Sequence, residues 1–313
     1  MQPVLIIAGP TASGKSGAAL AAAEEFRGTI INADSMQIYR ELCILTARPS
    51  VADEARAPHR LYGVMAAEQR CSAAHWAALA AGEIAAAHGA GRLPILVGGT
   101  GFYLKALMVG LSAIPEVPAE VRAEAMDVRA KLGAEAFHGE LARIDPRAAA
   151  RLIPSDAQRV TRAYEVWLAS GRTLSDWQDE PPVPPLPEAR FLVLVLDPPR
   201  EALYAACDAR FDAMLAEGGL DEAKALLAMG LDPALPAMKA LGVPDLLRHL
   251  AGETSLEAAT RAAKQATRNF AKRQSTWFRT QIDPAARLSE QFSERLLDKI
   301  FNKIRDSRLT AQI

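Results

Sequence analysis

Eight residues near the start of the chain could hold phosphate groups. The stretch GPTASGKS, residues 9–16, matches the pattern GxxxxGK[ST] and follows the apolar run PVLIIA. Glycines let successive backbone N–H groups turn toward one anion, and the N-terminus of a following helix adds partial positive charge. Lys15 would place its ammonium group on phosphate oxygens, and Ser16 could ligate Mg²⁺. This predicted P-loop specifies phosphates but not the group attached to them.

Two polar positions follow later apolar runs and could also do chemistry. Asp34 comes after GTIIN, and Thr100 lies in the glycine-rich turn GGTG after PILV. A carboxylate at Asp34 could ligate a metal or accept a proton from a nucleophile, but Asp34 and Ser35 could equally cap a helix. The Thr100 hydroxyl could hydrogen-bond a ligand, although a tight turn needs no function. From these residues alone, both alternatives stay open.

A basic segment near the C-terminus is the main charge feature of a nearly neutral chain. The 313 residues carry 36 Lys and Arg against 37 Asp and Glu, yet residues 258–282 contain six basic residues and no acidic one. At helical spacing, such a stripe favours binding to a phosphodiester backbone, with a solvated helix face as the alternative. The basic residues are Arg261, Lys264, Arg268, Lys272, Arg273 and Arg279.

The cysteines and the apolar N-terminus indicate in which cellular compartment the protein is expected. Three scattered cysteines without CxxC spacing argue against a disulfide framework or a zinc site and favour a reducing compartment. The apolar start is too short to span a membrane. We therefore predict a cytoplasmic protein without a membrane partner.

These candidate residues must be positioned by strands and helices that alternate along the chain. Apolar runs around residues 3–8, 28–32, 93–98 and 190–196 read as buried strands, separated by helical patterns. This alternation predicts an α/β fold with a P-loop NTPase-like parallel sheet. Ligands bind beyond the carboxyl ends of such strands, where the P-loop, Asp34 and Thr100 would lie.

A helical insertion is predicted within this sheet domain. Residues 114–187 show only helical patterns and lie between the proline-rich stretches IPEVP and PPVPPLP. We therefore predict a core of residues 1–113 and 188–313, with 114–187 as a helical insertion domain. Ser155 would cap a helix that carries Gln158, Arg159 and Arg162. The insertion could grip a substrate or be an inert elaboration.

Seven motifs in order resemble those of the tRNA dimethylallyltransferases (tRNA isopentenyltransferases) of bacterial type. They are GPTASGKS, DSMQIYR, GGTGFYL, AQRVTRA, RFDAML, KALG and TRNFAKRQSTW. The resemblance implies transfer of a dimethylallyl group from dimethylallyl diphosphate to an exocyclic amine of tRNA. The acceptor would be the adenosine 3′-adjacent to the anticodon in tRNAs that read codons beginning with U. The P-loop would then hold the donor's diphosphate, although the motif alone suggests ATP.

The resemblance also implies roles for individual residues. Asp34 would be the general base, Thr100 would assist beside the bridging oxygen of the diphosphate, and Ser16 would ligate the Mg²⁺ cofactor. The diphosphate would be bound by Gly9, Pro10, Thr11, Ala12, Ser13, Gly14, Lys15, Ser16 and Arg210. The tRNA would be bound by Asp34, Ser35, Met36, Gln37, Thr100, Arg122, Gln158, Arg159, Val160, Thr161, Arg162, Lys239, Arg268, Lys272 and Arg273.

The resemblance thus predicts a monomer whose partners are dimethylallyl diphosphate and the anticodon stem-loop of tRNA, gripped by the insertion. Two stretches depart from the family: ELCILTA stands where GLDIGTA is usual, and KALGVPDLL where KAIGYKE is common. An ATP-dependent P-loop kinase of a small metabolite is the alternative function. A non-catalytic polyanion-binding protein is a third, but it leaves Lys15, Ser16 and Asp34 unexplained.

Overall fold

A parallel sheet forms the centre of the molecule. The computed structural model describes residues 2–290, 292–307 and 309. Within them, six strands lie in the order β3-β2-β4-β1-β5-β6, and every adjacent pair is parallel. The strands are β1 (Gln2–Ala8), β2 (Gly28–Asn32), β3 (His59–Arg60), β4 (Leu93–Gly98), β5 (Ala189–Leu196) and β6 (Ala286–Leu288).

Helices fill most of the remaining described chain. They are α1 (Lys15–Glu25), α2 (Val51–Arg56), α3 (Ala73–Gly89), α4 (Gly101–Met108), α5 (Ala119–Ile144), α6 (Pro146–Arg151), α7 (Ala157–Ser170), α8 (Leu174–Gln178), α9 (Arg200–Ala216), α10 (Gly219–Ala228), α11 (Val243–Leu250), α12 (Leu256–Gln281) and α13 (Glu294–Asp306). A short 3₁₀ turn covers Ala237–Lys239. None of the helices described here is long and apolar enough to cross a bilayer.

The four longer strands are buried on both faces, as their apolar runs predict. Consecutive residues of β1, β2 and β4 are buried although successive side chains point to opposite faces. The predicted α/β fold with a parallel sheet is therefore confirmed. The edge strands β3 and β6 escape the sequence analysis because two or three residues carry no periodicity.

Order in the sheet decides which loops meet. Strand β1 lies between β4 and β5, so the loop after β1 has the loop after β4 as a neighbour. The P-loop segment connects β1 to α1, and Gly14 precedes the helix with φ 84°. A non-glycine residue adopts this left-handed conformation only with strain, which accounts for glycine at that position.

The C-terminal helix α13 packs against α1. Leu296, Ile300 and Ile304 are fully buried in the cluster that also contains residues of α1 and of the sheet. Phe301 contacts Phe26 edge-on, with ring centroids 5.5 Å apart. Such burial is worth about 1.5–3 kcal/mol for each large apolar side chain and fixes α13 on the helix that follows the P-loop.

A second compact unit spans Val109–Pro184, where the sequence predicted residues 114–187. It contains α5 to α8, and Phe137, Leu141 and Val160 are fully buried at its core. Helix α5 is interrupted at Gly133, whose φ of 76° lies in the left-handed region. One local prediction is wrong: Asp156, not Ser155, caps α7, because its carboxylate accepts the N–H of Arg159.

Candidate functional site

Two cations, the buried Lys15 and the half-buried Arg210, face the loop between β1 and α1. The Nζ of Lys15 lies 3.1 Å from the carbonyl oxygen of Pro10, and a guanidinium N–H of Arg210 on α9 donates to the hydroxyl of Thr11. Neither cation forms an ion pair with the described part of the chain. A loop that is contacted by two cations without a paired carboxylate is suited to a multiply charged anion.

The electrostatics of this loop disfavour its empty, charged state. The pKa of Lys15 is lowered to about 8, mainly by burial; the nearby Asp34 carboxylate opposes this shift and the Arg210 charge adds to it. Burial also lowers the pKa of Arg210. Ser13 adds a hydroxyl oxygen that is buried and has no hydrogen-bond partner among the described residues. A phosphate group would neutralise the cations and accept these donors.

Asp34 lies in a turn fixed from both sides. The buried amide of Asn32 accepts the N–H of Asp34 at 2.8 Å and donates to the carbonyls of Asp34 and Leu61. One Asp34 oxygen, Oδ1, accepts the N–H of Met36 at 2.9 Å. No described helix begins between β2 and α2, so the helix-capping alternative is wrong; the bond to Met36 closes a local turn and occupies one carboxylate oxygen. The second oxygen remains available for chemistry.

Thr100 and Ser35 connect the loops after β4 and β2. The hydroxyl of Thr100 accepts the backbone N–H of Ser35 at 2.9 Å and lies 3.2 Å from its hydroxyl. The N–H of Thr100 donates to the carbonyl of Ala33. Asp34 and Thr100 are thus brought together as the strand order predicts. Thr100 holds the turn that carries Asp34.

Gln274 is a site residue that the sequence analysis did not single out. It is buried on α12, accepts the N–H of Thr11 at 2.8 Å and donates to the carbonyl of Gly99 at 2.8 Å. One side chain therefore links the P-loop segment to the turn that carries Thr100. Gln274 lies within the motif TRNFAKRQSTW, which could have marked it as a site residue. Its partner Thr11 is 263 residues away, however, and no local sequence pattern indicates that contact.

Several basic residues of helix α12 form ion pairs within the protein, so the helix presents less positive charge than its sequence suggests. Arg268 binds both oxygens of Asp208 at 2.6 Å, Lys264 binds Asp212 at 2.6 Å, and Arg279 binds the buried Asp197 at 2.9 Å. These acids lie outside the segment in sequence. Arg268, predicted to contact tRNA, is therefore already paired within the protein.

Lys272 and Arg273 are the exposed cations of α12 for which the described structure gives no ion pair. Arg273 lies over the ring of Phe270, 5.7 Å from its centroid. Lys239, on the 3₁₀ turn, is also exposed. The positive stripe thus reduces to fewer available charges than the sequence count implies.

The other residues predicted to contact tRNA near Asp34 are partly exposed. Ser35, Met36 and Gln37 are half-buried, and the Gln37 amide donates to the carbonyls of Thr46 and Ala47. These bonds tie the segment after β2 to the loop that contains the ELCILTA stretch. Glu222 of α10 fixes the same loop by accepting the backbone N–H groups of residues 43–45.

Helix α7 divides its predicted tRNA-binding residues between surface and core. Gln158 and Arg159 are exposed, and Arg162 is half-buried. Val160 is fully buried and Thr161 is 8% exposed, so their side chains offer little surface to a tRNA, and their predicted contact stays a prediction. They face the core of the unit because the helical period turns them away from Arg159. Arg122, in the first turn of α5, is half-buried.

The P-loop segment at the carboxyl edge of a parallel sheet places the chain in the class of P-loop α/β proteins. Comparison with known families narrows this class. The family model described as IPP transferase matches residues 37–281, and the model described as isopentenyl transferase matches residues 2–70. The chain belongs to this tRNA dimethylallyltransferase family of transferases, as its motifs predict.

Individual relatives cover nearly the whole chain. The tRNA dimethylallyltransferase of Rhodospirillum centenum is 60% identical over 91% of this chain and 91% of its own length. That of Paramagnetospirillum magneticum is 56% identical over 99% of this chain and 98% of its own. These relatives support a transferase acting on tRNA and do not favour the kinase alternative.

Solved structures give the same result. The tRNA isopentenylpyrophosphate transferase of Bacillus halodurans is 30% identical, with a TM-score of 0.70 over 100% of this chain and 98% of that one. A eukaryotic dimethylallyltransferase acting on tRNA is 25% identical, with a TM-score of 0.79 over 99% of this chain and 84% of that one. The similarity thus spans both compact units.

Proposed function

We propose that the protein transfers the dimethylallyl group of dimethylallyl diphosphate to tRNA, at the exocyclic amine of the adenosine 3′-adjacent to the anticodon. The tRNAs are those that read codons beginning with U. The observation that carries the proposal is the pair of cations at the P-loop, Lys15 and Arg210, near the Asp34 carboxylate. This arrangement suits a diphosphate leaving group next to a proton acceptor.

The loop stabilises the charge that develops as the donor reacts. The bond between the allylic carbon and the diphosphate oxygen breaks, and the electron pair leaves with the diphosphate. Lys15, Arg210 and the loop amides supply positive charge and hydrogen bonds to that leaving group. Because both cations are already positioned by hydrogen bonds to Pro10 and Thr11, little reorganisation is needed during the reaction.

Asp34 accepts the proton that the amine loses. The amine nitrogen forms a bond to the allylic carbon, and its lone pair is a poor nucleophile because it is delocalised into the adenine ring. Transfer of a proton to Asp34 removes the positive charge that would otherwise form on nitrogen. The hydrogen bond from Met36 holds one carboxylate oxygen, which directs the other as base. Thr100 and Asn32 hold the turn in place.

The residues present fit Mg²⁺. Among the described residues, no group of three or more His, Cys, Asp or Glu could hold a metal. Mg²⁺ needs no such cage, since it commonly takes one or two protein oxygens together with substrate phosphates. The exposed hydroxyl of Ser16 would provide a protein ligand. When bound, the ion would supply further charge stabilisation to the diphosphate.

The acceptor adenosine must leave its stack to reach Asp34. Bases in an anticodon loop are stacked, and an enzyme that modifies the exocyclic amine has to extrude the target base. Exposed cations on two parts of the chain, Arg159 on α7 and Lys272 and Arg273 on α12, are suited to the tRNA backbone. They would supply affinity without reading the sequence.

One experiment tests the function directly. The protein is incubated with unmodified tRNA, Mg²⁺ and labelled dimethylallyl diphosphate, without ATP. Label is expected in tRNAs that read codons beginning with U, at the adenosine 3′ of the anticodon. Absence of label across a panel of such tRNAs would contradict the proposal. Turnover that requires ATP would instead revive the kinase alternative.

A further inference from the structure

A phenylalanine from the C-terminal segment covers one side of the P-loop. Phe292 follows β6 and lies against two glycines at the start of α1. A Cβ atom added at Gly14 would lie 2.4 Å from the Cβ of Phe292, and one added at Gly17 would lie 3.0 Å from its Cζ. The phenyl group therefore occupies the space that the missing side chains leave.

The position of Phe292 is set by the packing of α13. Ser293 caps this helix, and its buried residues Leu296 and Ile300 join the cluster that contains α1. Arg305 forms an ion pair with Glu25 at the far end of α1. Phe292 is 40% exposed, so the ring is held at the rim of the loop with one part facing solvent.

The sheet gives the P-loop two sides with different chemistry. Asp34 and Thr100 follow β2 and β4, which lie on one side of β1, whereas Phe292 follows β6 on the other side. In a nucleotide-binding P-loop, the lysine reaches the β- and γ-phosphates while the loop amides hold the α- and β-phosphates. The nucleoside consequently leaves the loop on the side of the following helix, away from the γ-phosphate, along the first turn of α1.

We infer that Phe292 is a specificity-determining residue that excludes nucleoside diphosphates and triphosphates from this P-loop by occupying the space of the nucleoside. The inference rests on the proposed function, in which the loop holds a diphosphate. With the space at Gly14 and Gly17 filled, an organic group attached to that diphosphate is directed to the side of Asp34 and Thr100. The loop thereby selects a diphosphate donor whose organic group points toward the general base Asp34.

Calorimetric titration of the full chain with Mg²⁺ and either inorganic diphosphate, ADP or ATP tests the inference. The wild-type protein is expected to bind inorganic diphosphate more tightly than ADP or ATP. Phe292→Ala should improve ADP affinity about tenfold and leave inorganic diphosphate affinity unchanged. Phe292→Trp should retain the exclusion, because the larger ring fills the same space.

Phe301→Ala provides the matched control. It removes a phenyl group from α13, the helix that follows Phe292, where the ring packs on Phe26 rather than on the glycines. This variant should lower the melting temperature without changing the ratio of ADP to diphosphate affinity. Phe292→Ala is compared at a temperature where both variants are folded, as checked by circular dichroism.

The possible failures are distinguishable. Equal affinity of the wild-type protein for ADP and inorganic diphosphate would overturn the inference alone, as would an unchanged affinity ratio in Phe292→Ala. Weaker ADP binding in Phe292→Ala would show instead that a nucleobase stacks on the ring. Failure of the wild-type protein to bind inorganic diphosphate would overturn the proposed function together with the inference.

Discussion

At the scale of single residues, Asp34 combines a structural and a chemical role. Its Oδ1 accepts the N–H of Met36, and its backbone is held by Asn32. An asparagine at this position keeps an oxygen for the same bond but cannot accept a proton. The two roles can therefore be separated by one substitution.

Asp34→Asn is expected to lower the turnover of tRNA prenylation by ~10²–10⁴-fold, the usual contribution of a general base. The melting temperature and the affinity for inorganic diphosphate should stay near their wild-type values, since the turn is preserved. Single-turnover transfer of labelled dimethylallyl groups measures the first quantity and calorimetry the second. A variant that keeps wild-type turnover would remove Asp34 from catalysis.

Lys15 should make diphosphate binding dependent on pH. Its pKa is lowered to about 8 by burial, so the ammonium loses its proton as the pH rises through that value. Affinity for inorganic diphosphate is expected to fall between pH 7 and pH 9, and the bound anion should raise the pKa of Lys15. Titrations of diphosphate affinity across this pH range check the trend. The control is Lys15→Met, which should bind diphosphate more weakly and lack the part of the pH dependence that is due to Lys15. Unchanged pH dependence in Lys15→Met would contradict the assignment.

The same shift has the opposite sign for stability. Between about pH 8 and the unfolded value of 10.5, the unfolded chain holds more protons on this lysine than the folded chain does. Stability of the ligand-free protein therefore gains from Lys15 as the pH rises through this window, because the buried charge is removed. A rise in pH through this range therefore weakens diphosphate binding and increases the stability of the ligand-free protein.

At the scale of elements, helix α12 acts as a connector more than as a charged surface. Gln274 bonds the P-loop segment and the turn after β4, and Trp277 packs on Gly101 at the start of α4. Arg268 and Lys264 join it to α9, which carries Arg210. The helix thereby sets the relative placement of the anion-binding loop, the cation of α9 and Thr100.

Gln274→Leu should weaken both the fold and the site. Loss of the amide leaves the buried N–H of Thr11 without its partner, which costs about 1–3 kcal/mol. The carbonyl of Gly99 keeps the N–H of Gly101 but loses its bond to Gln274, so the link between the two loops is broken. Lower stability in urea unfolding and weaker diphosphate binding are expected together. Thr276→Val, an exposed hydroxyl on the same helix that bonds only within it, is the control. Wild-type diphosphate affinity in Gln274→Leu would refute the connecting role.

The elements differ in how far sequence could predict them. The P-loop and the strands β1, β2, β4 and β5 follow from local patterns, and the carboxyl-edge rule brings Asp34 beside Thr100. The acids that neutralise α12 were missed because Asp208 lies 60 residues from Arg268 and belongs to another helix. Gln274 and Phe292 were missed for the same reason, since their partners are fixed by tertiary packing. Charge counted along a segment therefore overstated the exposed positive surface.

At the scale of the whole molecule, available positive charge lies on both compact units of a chain with formal net charge −1. Arg159 on α7 is mostly exposed, with Asp156 at 3.6 Å, and Lys272 on α12 is exposed. A tRNA that contacts both units would release counterions at each. The slope of log affinity against log salt therefore reports the number of these phosphate contacts.

Arg159→Ala and Lys272→Ala are each expected to weaken tRNA binding and to reduce the slope of log affinity against log salt by about 1. In the double variant the two reductions in affinity and in slope should add, because sites on separate units with no shared partner act independently. Arg143→Ala is the control: it removes an equally exposed arginine of the same unit as Arg159, paired with Glu140 at 3.0 Å, and should leave the slope nearly unchanged. Filter-binding titrations from low to moderate salt give the slopes of the wild-type protein and of the four variants. A double variant with the same slope as one of the single variants would mean that only one unit contacts the tRNA backbone. If the double variant matches Lys272→Ala, then Arg159 makes no such contact, and the gripping role proposed for the 109–184 unit would fail.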